Sequence, residues 1–368
     1  METDRPRSQL PASNAAVFKN RRLNSRARIE AWLHRQWAKR GLFSWILSPL
    51  SLIYLCISQN KAREARPKVL PVPVVVVGNI YVGGTGKTPV TVALVKKLAQ
   101  RGWRPGVISR GYGRKEDPVK LVNPDTDADT SGDEPLLIAR KTRVPVAVGR
   151  DRHEAGLTLL RHHPEVNLII SDDGLQHYAL ARDVELCVVG ARGLGNEWVL
   201  PAGPLREPPS RLDRVDAIIL NATDETLATR TPRFAATAMF GACRSLKTGE
   251  QSDIDILAEK FKGKKIAAAA GIAVPGRFFS MLRAHGIICS QTLELGDHFG
   301  YDSNPFQALD AECIFITEKD AVKCRQVPEI KDDPRVWIVG YDIELEDYLI
   351  ELIDKKIRAR AEIINAKG

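Results

Sequence analysis

Apolar runs alternate with amphipathic stretches along the chain from about residue 70 onwards. Residues 71–79, PVPVVVVGN, are almost continuously apolar and end at a glycine-rich turn, as expected of a strand buried on both faces. Residues 88–101 then carry apolar side chains at helical spacing. Further strand-like runs follow downstream: GVISRGYG, VPVAVG, VNLIISDDG, ELCVVG and AIILN. The pattern predicts an α/β fold, a mostly parallel sheet with helices on both faces.

A change of composition divides this pattern into two. Residues 223–240 are rich in Thr and Ala and show no clear helical face. Beyond them, KKIAAAAGIA, CIFITEKD and VWIVGYD read as strands of a second, smaller α/β unit, with helices expected around residues 278–285 and 344–358. We therefore predict three parts: a basic arm with an apolar segment at 1–66, a larger α/β domain at 67–230, and a smaller C-terminal α/β domain, including its linker, at 231–368.

An apolar run at residues 42–58, LFSWILSPLSLIYLCIS, is flanked on both sides by cations and preceded by two tryptophans. Such flanks suit a membrane interface with anionic lipid. As a helix the 17 residues would reach only about 26 Å, against a hydrocarbon core of about 30 Å, and Pro49 interrupts them. We predict a helix, or a broken pair of helices, that dips into one leaflet. A membrane span and a buried helix of a soluble protein are the alternatives.

Charge is distributed very unevenly. The net charge is +9, yet residues 1–70 hold 14 Lys and Arg against 4 Asp and Glu, which leaves 40 basic and 41 acidic residues for the rest. A nucleic-acid groove needs clustered positive charge on the main domain, so this distribution argues against one. The six cysteines are scattered without a C-x-x-C pair, which favours a reducing compartment over a disulfide framework or a zinc site.

The glycine-rich turn after the first strand predicts a phosphate-binding loop. Small residues let consecutive backbone N–H groups face phosphates, a lysine reaches the β- and γ-phosphates, and a hydroxyl binds Mg²⁺. Lys87 and Thr88 supply the last two parts, although Tyr81 stands where the usual first glycine of the motif would be. ATP binding is therefore predicted for the residues of this loop: Tyr81, Val82, Gly83, Gly84, Thr85, Gly86, Lys87 and Thr88.

Other polar motifs lie where strands end, and ligands of parallel sheets bind beyond those ends. Asp172 and Asp173 close a buried strand, where a carboxylate can approach Mg²⁺. Taken alone, the remaining motifs have ordinary readings as well as functional ones. SGDEP at 131–135 could cap a helix, LPAGPLREP at 200–208 could be a salt-bridged loop, and GDHFGY at 296–301 and TEKD at 317–320 could be solvated turns.

Together these motifs resemble one family, the tetraacyldisaccharide 4'-kinases of Gram-negative bacteria. The matching segments, in the family's order over about residues 40–325, are VVGNIYVGGTGKTP, VISRGYGR, SGDEP, VGRDR, SDDGLQH, LPAGPLREP, AAGIAVPGRFF, GDHFGY and TEKDAVK. The resemblance implies a P-loop NTPase domain that bears a membrane-associated helix, a smaller α/β domain, and a cleft between them for nucleotide and acceptor. It also implies transfer of the ATP γ-phosphate to the 4'-hydroxyl of a tetraacyl glucosamine disaccharide 1-phosphate, which gives lipid IVA.

The resemblance also assigns roles to individual residues. Asp133 becomes the expected base, His298 its assistant from the second domain, and Arg206 the cation that neutralises transition-state charge beside Lys87. The expected Mg²⁺ ligands or their supports are left unranked: Thr88, Asp172, Asp173, Glu134 and Glu207. The implied partners are the lipid disaccharide and an anionic membrane surface, with no nucleic acid and no evident required protein partner. The implied location is the cytoplasmic face of the bacterial inner membrane.

Two other classes of protein remain as alternatives. A membrane-associated partitioning ATPase has a similar loop, but it wants a lysine before the first glycine of the pair, where this chain has Val82. Such an ATPase also needs no acceptor-binding second domain. A non-enzymatic, nucleotide-gated membrane adaptor would bind ATP without phosphorylating a lipid.

Overall fold

Two mostly parallel sheets organise the protein. The computed structural model describes residues 16–19, 25–111, 118–125, 128–223, 225–296, 299–301 and 303–366. The strands, in chain order, are β1 (Ala16–Lys19), β2 (Val74–Gly78), β3 (Pro105–Ser109), β4 (Lys120–Leu121), β5 (Val146–Val148), β6 (Leu168–Asp172), β7 (Val184–Val189), β8 (Ala217–Asn221), β9 (Arg233–Phe240), β10 (Cys243–Ser245), β11 (Gln251–Ser252), β12 (Ile266–Ala270), β13 (Gln291–Glu294), β14 (Cys313–Thr317), β15 (Val336–Val339) and β16 (Tyr341–Leu345).

Helices cover these sheets. They are α1 (Ser25–Gln36), α2 (Leu42–Glu64), α3 (Lys87–Gln100), α4 (Ala128–Ser131), α5 (Asp133–Thr142), α6 (Arg152–His162), α7 (Ile254–Lys260), α8 (Pro275–Ala284), α9 (Glu318–Cys324), α10 (Pro328–Lys331) and α11 (Asp347–Asn365), with a 3-10 helix at Pro209–Arg214. The predicted fold class is confirmed, since both sheets are mostly parallel and packed against helices.

The larger sheet has the strand order β16-β9-β8-β7-β2-β6-β3-β5-β4. Strand β2 lies inside this sheet, paired in parallel with β6 on one side and β7 on the other. All five of its residues are buried, which explains why its sequence is a continuous apolar run and does not alternate. Because β2, β6 and β8 run in parallel, the polar residues at their carboxyl ends meet at one edge of the sheet.

The smaller sheet has the order β1-β13-β12-β14-β15-β10-β11. Its central strands are parallel, and the short strands β10 and β11 pair antiparallel at one edge. At the other edge β1, from the polar N-terminal region, pairs in parallel with β13. A four-residue strand in that region was not expected from the sequence, because its pairing is decided by a distant edge with unpaired backbone groups.

Strands β9 and β16 connect the two sheets. They pair antiparallel with each other, and β9 also pairs with β8 of the larger sheet. Helix α11, which follows β16, buries Leu349, Ile353 and Ile357 in the core that α3 also enters. The chain therefore returns to the larger sheet after forming the smaller one. The division into 1–66, 67–230 and 231–368 remains a prediction, and a linear pattern does not show which sheet a strand will join.

Helix α2 is continuous through Pro49 and runs to Glu64, so it is longer than the apolar run that predicted it. Small polar side chains of this helix face the protein, and most of its large apolar side chains face away. Ser44 and Ser51 are buried against the protein: Asn196 Nδ2 donates to Ser44 Oγ at 3.0 Å, and Ser51 Oγ donates to the carbonyl of Val199 at 2.9 Å. The large apolar side chains that point away are Leu42, Trp45, Ile46, Leu50, Leu52, Ile53 and Ile57. Among the described residues, α2 is the one helix long and apolar enough to cross a membrane.

Candidate active site

The predicted phosphate loop lies between β2 and α3. Gly83 and Gly86 have φ angles of 107° and 81°, in the left-handed region that favours glycine. A Cβ atom at Gly86 would lie 2.0 Å from Asn221 Nδ2, so a side chain is also excluded by contact. Lys87 and Thr88 begin α3 and are buried. The backbone of the loop thus turns at Gly83 and Gly86 and presents the start of a helix, the arrangement that binds phosphate groups.

Two asparagines at strand ends hold this loop, and the sequence analysis missed both. Asn79 follows β2 and donates from Nδ2 to the Tyr81 carbonyl at 2.8 Å and to Thr85 Oγ1 at 3.0 Å. Asn221 ends β8 and donates to the Thr85 carbonyl at 3.0 Å. A polar residue that closes a buried strand beside a glycine-rich turn is the signal that would have found them.

Tyr81 takes the place of the usual first glycine and ties the loop to the N-terminal region. Its ring is buried and stacks on His34 of α1, with ring centroids 5.8 Å apart. The Tyr81 hydroxyl oxygen lies 3.1 Å from His34 Nδ1. The adjacent Val82 donates its backbone N–H to the Pro204 carbonyl at 2.8 Å. Burial, followed by the charge of Arg192, lowers the pKa of His34 to about 4, so the ring is neutral near pH 7.

Three of the predicted site residues converge after β6. Lys87 Nζ and Arg206 Nη1 each lie 3.4 Å from Asp173 Oδ1. Asp173 has a φ of 48°, unusual for a residue with a side chain and of a kind that often marks functional sites. Burial acts to raise the pKa of Asp173, but the charges of Lys87 and Arg206 outweigh it and lower the pKa below its ordinary value. The carboxylate is therefore ionised and shared by two cations.

Asp172, the preceding residue, has a different environment. It is completely buried and accepts a hydrogen bond from Thr91 Oγ1 at 2.8 Å, while its Oδ2 has no hydrogen-bond partner among the described residues. Burial raises its pKa to about 7, and the nearby charges of Glu134 and Asp173 act in the same direction. An unpaired buried carboxylate oxygen beside two further carboxylates fits a position that faces a divalent cation.

Glu207 lies in a network of protein contacts. It is buried and accepts hydrogen bonds from Gln176 Nε2 at 2.7 Å and from the Tyr178 hydroxyl, with Arg211 Nε at 3.2 Å. Gln176 in turn accepts from Arg206 Nη1 at 3.2 Å. These contacts orient Arg206, so the neighbouring Arg206 and Glu207 point into one connected set of side chains.

Asp133 and Glu134 lie at the amino end of α5 and meet cations from the smaller sheet. Lys323 Nζ of α9 lies 3.0 Å from Asp133 Oδ2, and Lys319 Nζ of the same helix lies 3.8 Å from Glu134 Oε1. The sequence analysis named Lys319 only within the TEKD motif and assigned no role to Lys323. His298, the predicted assistant of Asp133, lies outside the described residues.

A cavity of about 210 Å³ opens beside the phosphate loop, between the two sheets. The loop, Glu134 and Lys319 contribute its polar wall. The opposite wall is mainly apolar and comes from strands and helices of the linker and the smaller sheet: Phe240, Ile272, Val274, Phe278, Met281 and Tyr341. An apolar slot next to a phosphate loop is the shape expected for a nucleotide base and its phosphates.

Within the described part of the chain, no group of three His, Cys, Asp or Glu side chains could hold a metal ion by itself. In phosphoryl-transfer sites Mg²⁺ takes only one or two protein ligands, together with waters and substrate phosphates. Thr88 and Asp172 have the donor atoms for that partial set.

Fold and site together define a P-loop nucleotide-binding protein. The model of the family described as Tetraacyldisaccharide-1-P 4'-kinase matches residues 43–358 of the chain. The tetraacyldisaccharide 4'-kinase of Herminiimonas arsenicoxydans is 45% identical over 355 residues, covering 91% of this chain and 98% of that protein. That of Dechloromonas aromatica is 46% identical over 342 residues, covering 90% and 99%. The chain belongs to the tetraacyldisaccharide 4'-kinase family.

A solved structure agrees with this assignment. The crystal structure of LpxK from Aquifex aeolicus in complex with ATP superimposes with a TM-score of 0.70 at 28% identity, covering 86% of this chain and all of that one. The family predicted from the ordered motifs and the enzyme class that it implies, a kinase, are confirmed.

Proposed function

We propose that the protein transfers the γ-phosphate of ATP to the 4'-hydroxyl of a tetraacyl glucosamine disaccharide 1-phosphate, giving lipid IVA. The observation that carries this proposal is a single cavity lined both by residues 84–89 of the phosphate loop and by Glu134, which adjoins Asp133 at the start of α5. The phosphate loop and a residue of the SGDEP motif thus line one cavity. Membership of the kinase family supports the choice of acceptor.

In the proposed reaction the 4'-oxygen forms a bond to the γ-phosphorus, the bond from that phosphorus to the β,γ-bridging oxygen breaks, and ADP leaves. Asp133 accepts the hydroxyl proton late in a loose transition state, in which positioning matters more than basicity. Lys87 and Arg206 hold the transferred group by charge. Both cations already lie close together, each within 3.4 Å of Asp173 Oδ1. On the motif match alone, His298 is proposed to assist Asp133.

Mg²⁺ is the cofactor proposed with ATP. Thr88 and Asp172 would hold it together with the phosphates, and Asp173, Glu134 and Glu207 are proposed as further ligands or as supports. When bound, the ion would neutralise charge on the phosphate oxygens. The orphaned Oδ2 of Asp172 and the raised pKa of that carboxyl support this assignment, because a nearby cation would stabilise its ionised form.

The acceptor is proposed to come from a membrane surface. Helix α2 exposes Ile46 and Leu52 at 66% and 65%, while its basic end carries Lys61 and Arg63. At 23 residues it would be about 34 Å long, enough to span, but its serine face is fixed against the protein at Ser44 and Ser51. We therefore propose that it lies within one leaflet, at the cytoplasmic face of the bacterial inner membrane, with anionic lipid around its cations.

The experiment that tests this function compares two acceptors in mixed micelles with Mg-ATP. The disaccharide 1-phosphate lipid should gain the mass of one phosphate, and the matched 4'-deoxy lipid should gain none. Equal phosphorylation of both lipids would reject the 4'-hydroxyl as acceptor. ADP formation without any phosphorylated lipid would indicate an ATPase.

A further inference from the structure

Helices α5 and α9 pack against each other from opposite sheets and carry complementary charges. At one end Lys141 of α5 lies 2.6 Å from Glu318 Oε2 of α9 and 3.0 Å from Asp342 Oδ1 of β16, and it also donates to the Tyr341 carbonyl at 2.6 Å. This lysine is largely buried, with 13% of its side chain exposed. One end of the helix pair is therefore joined firmly at the connection between the sheets.

At the other end the signs are reversed. Here α9 supplies the cations, Lys319 and Lys323, and α5 supplies the carboxylates, Glu134 and Asp133. The closest of these contacts, Lys323 to Asp133 at 3.0 Å, is also well shielded: 19% and 12% of the two side chains are exposed. A shielded charge pair is screened little by salt and orients its members strongly.

Lys323 also contacts the residue that follows His298, the predicted assistant of Asp133. Its Nζ donates to the carbonyl of Phe299 at 3.1 Å, and Phe299 is the residue that follows His298 in the sequence. One ammonium group thus joins the amino end of α5 in the larger domain to the GDHFGY segment of the smaller one. Since Lys has three N–H donors on one nitrogen, it can serve both acceptors at once.

The helix that carries Lys323 is itself fixed. Asp320 of α9 is buried and accepts hydrogen bonds from the Thr317 hydroxyl at 2.6 Å, the Tyr301 hydroxyl at 2.8 Å and the Gly271 N–H at 3.0 Å. The Tyr301 and Gly271 contacts anchor α9 to two other segments of the smaller domain. The position of Lys323 therefore follows the position of that domain as a whole.

We propose that Lys323 is a positioning residue for phosphoryl transfer: from the second domain it orients the Asp133 carboxylate through the charge pair, and it ties the Phe299 backbone to the same point. It acts through Asp133 and does not touch the reacting atoms. Because Lys323 and Asp133 belong to different domains, Lys323 orients the base only while the two domains are in contact. This inference rests on the proposed role of Asp133.

A double-mutant cycle on the full-length protein tests it, with the lipid kinase assay as readout. Lys323→Gln keeps a hydrogen-bond donor, on a side chain one bond shorter, but removes the charge. We expect it to lower kcat about 100-fold, within the usual range for general-base catalysis, while the KM for ATP changes less than about twofold. Lys323→Arg keeps the charge and should recover most of the lost kcat. Lys331→Gln, at an exposed site of the same domain, should behave like wild type.

The decisive variant is the double mutant with Asp133→Asn. If Lys323 acts through Asp133, Lys323→Gln should lower kcat less than about twofold further in the Asp133→Asn background. If the two losses multiply, or if Lys323→Gln raises only the KM for ATP, Lys323 has a separate role and the inference is wrong, while the proposed base stands. If Asp133→Asn alone is close to wild type, the proposed base is wrong, and a large effect of Lys323→Gln then rejects the positioning role too.

Thermal unfolding of the same variants separates this role from a merely structural one. Lys323→Gln and Lys323→Arg should unfold within a few degrees of wild type, because Lys141 keeps the other end of the helix pair joined. A loss of kcat that follows a loss of folded protein would overturn the proposal.

Discussion

Helices α2 and α3 both pack against the part of the protein built on the larger sheet, but they distribute their side chains in opposite ways. Helix α3 buries its apolar residues, among them Val90, Leu94 and Leu98 at 0% exposed. Helix α2 buries Ser44 and Ser51 and leaves its large apolar side chains outside. Both have apolar sequences, so the difference lies in what each helix is packed against.

This contrast assigns the two helices to different environments. The apolar side of α3 is removed from water by the sheet, which is the ordinary source of stability in a globular protein. A continuous exposed apolar surface like that of α2 marks an interaction site for a partner or a membrane. One helix then carries Lys87, the proposed phosphate-binding lysine, and the other faces the proposed source of the lipid acceptor.

The largest effect is expected at the start of α3. Lys87→Ala removes the ammonium group that the phosphate loop offers to the nucleotide, and kcat should fall by about 10²-fold to 10³-fold or more. Vesicle binding through α2 should be unchanged. A lipid kinase assay and a vesicle sedimentation assay on one preparation measure both. Turnover within tenfold of wild type would remove Lys87 from the site.

The next effect concerns the core beneath the same helix. Leu94→Ala empties a fully buried position, and the free energy of unfolding should fall by about 2–5 kcal/mol. Denaturant unfolding measures this value. The matching change on the other helix, Leu52→Ala, removes an exposed side chain and should alter stability by less than about 0.5 kcal/mol. Equal losses at the two positions would contradict the contrast between the helices.

A smaller effect is expected when a charge is placed on the outer face of α2. Ile46→Glu should weaken vesicle binding about tenfold or more, since it loses apolar transfer energy and adds repulsion from anionic lipid. Gln59→Glu adds the same charge to a polar, exposed position of this helix and serves as the control. Sedimentation with vesicles that contain anionic lipid is the measurement. Identical binding of the two variants would reject α2 as the membrane contact.

The smallest effect concerns the contact between α1 and the phosphate loop. His34 has a pKa of about 4 in the folded protein against 6.5 for a free histidine, so the unfolded state binds more protons between those values. The free energy of unfolding should therefore fall as the pH is lowered from about 6.5 to 4. His34→Gln should make that fall shallower. Denaturant unfolding across this range tests it, and an unchanged slope would contradict the buried, neutral histidine.

Much of this architecture could be predicted from local patterns. The buried strand at 74–78 and the glycine-lysine-threonine turn predicted the phosphate loop, because a strand, a turn and a helix in succession are local events. The apolar run at 42–58 predicted a helix at a membrane but not its serine-lined docking face, which depends on partners such as Asn196, about 150 positions away.

At the site, too, the contacts that could not be predicted are those between residues far apart in the sequence. Asp133 was given a role through its motif, whereas Lys323 was not, although TEKDAVK contains it, since a lysine in a charged helix has no local sign of a partner 190 residues away. Asn79 and Asn221 support the loop from two strands that become neighbours of the turn only in the folded sheet. The local sequence predicts the individual strands and helices. Which polar groups come into contact depends on how those strands and helices pair in the fold.

The most direct test of the whole account is the ratio of ADP to phosphorylated lipid when the protein works on vesicles that contain the disaccharide 1-phosphate. If the P-loop serves a lipid acceptor delivered at the surface contacted by α2, each ADP should be matched by one lipid phosphate, and vesicles without the acceptor should yield almost no ADP. Steady ADP release that ignores the acceptor would contradict it.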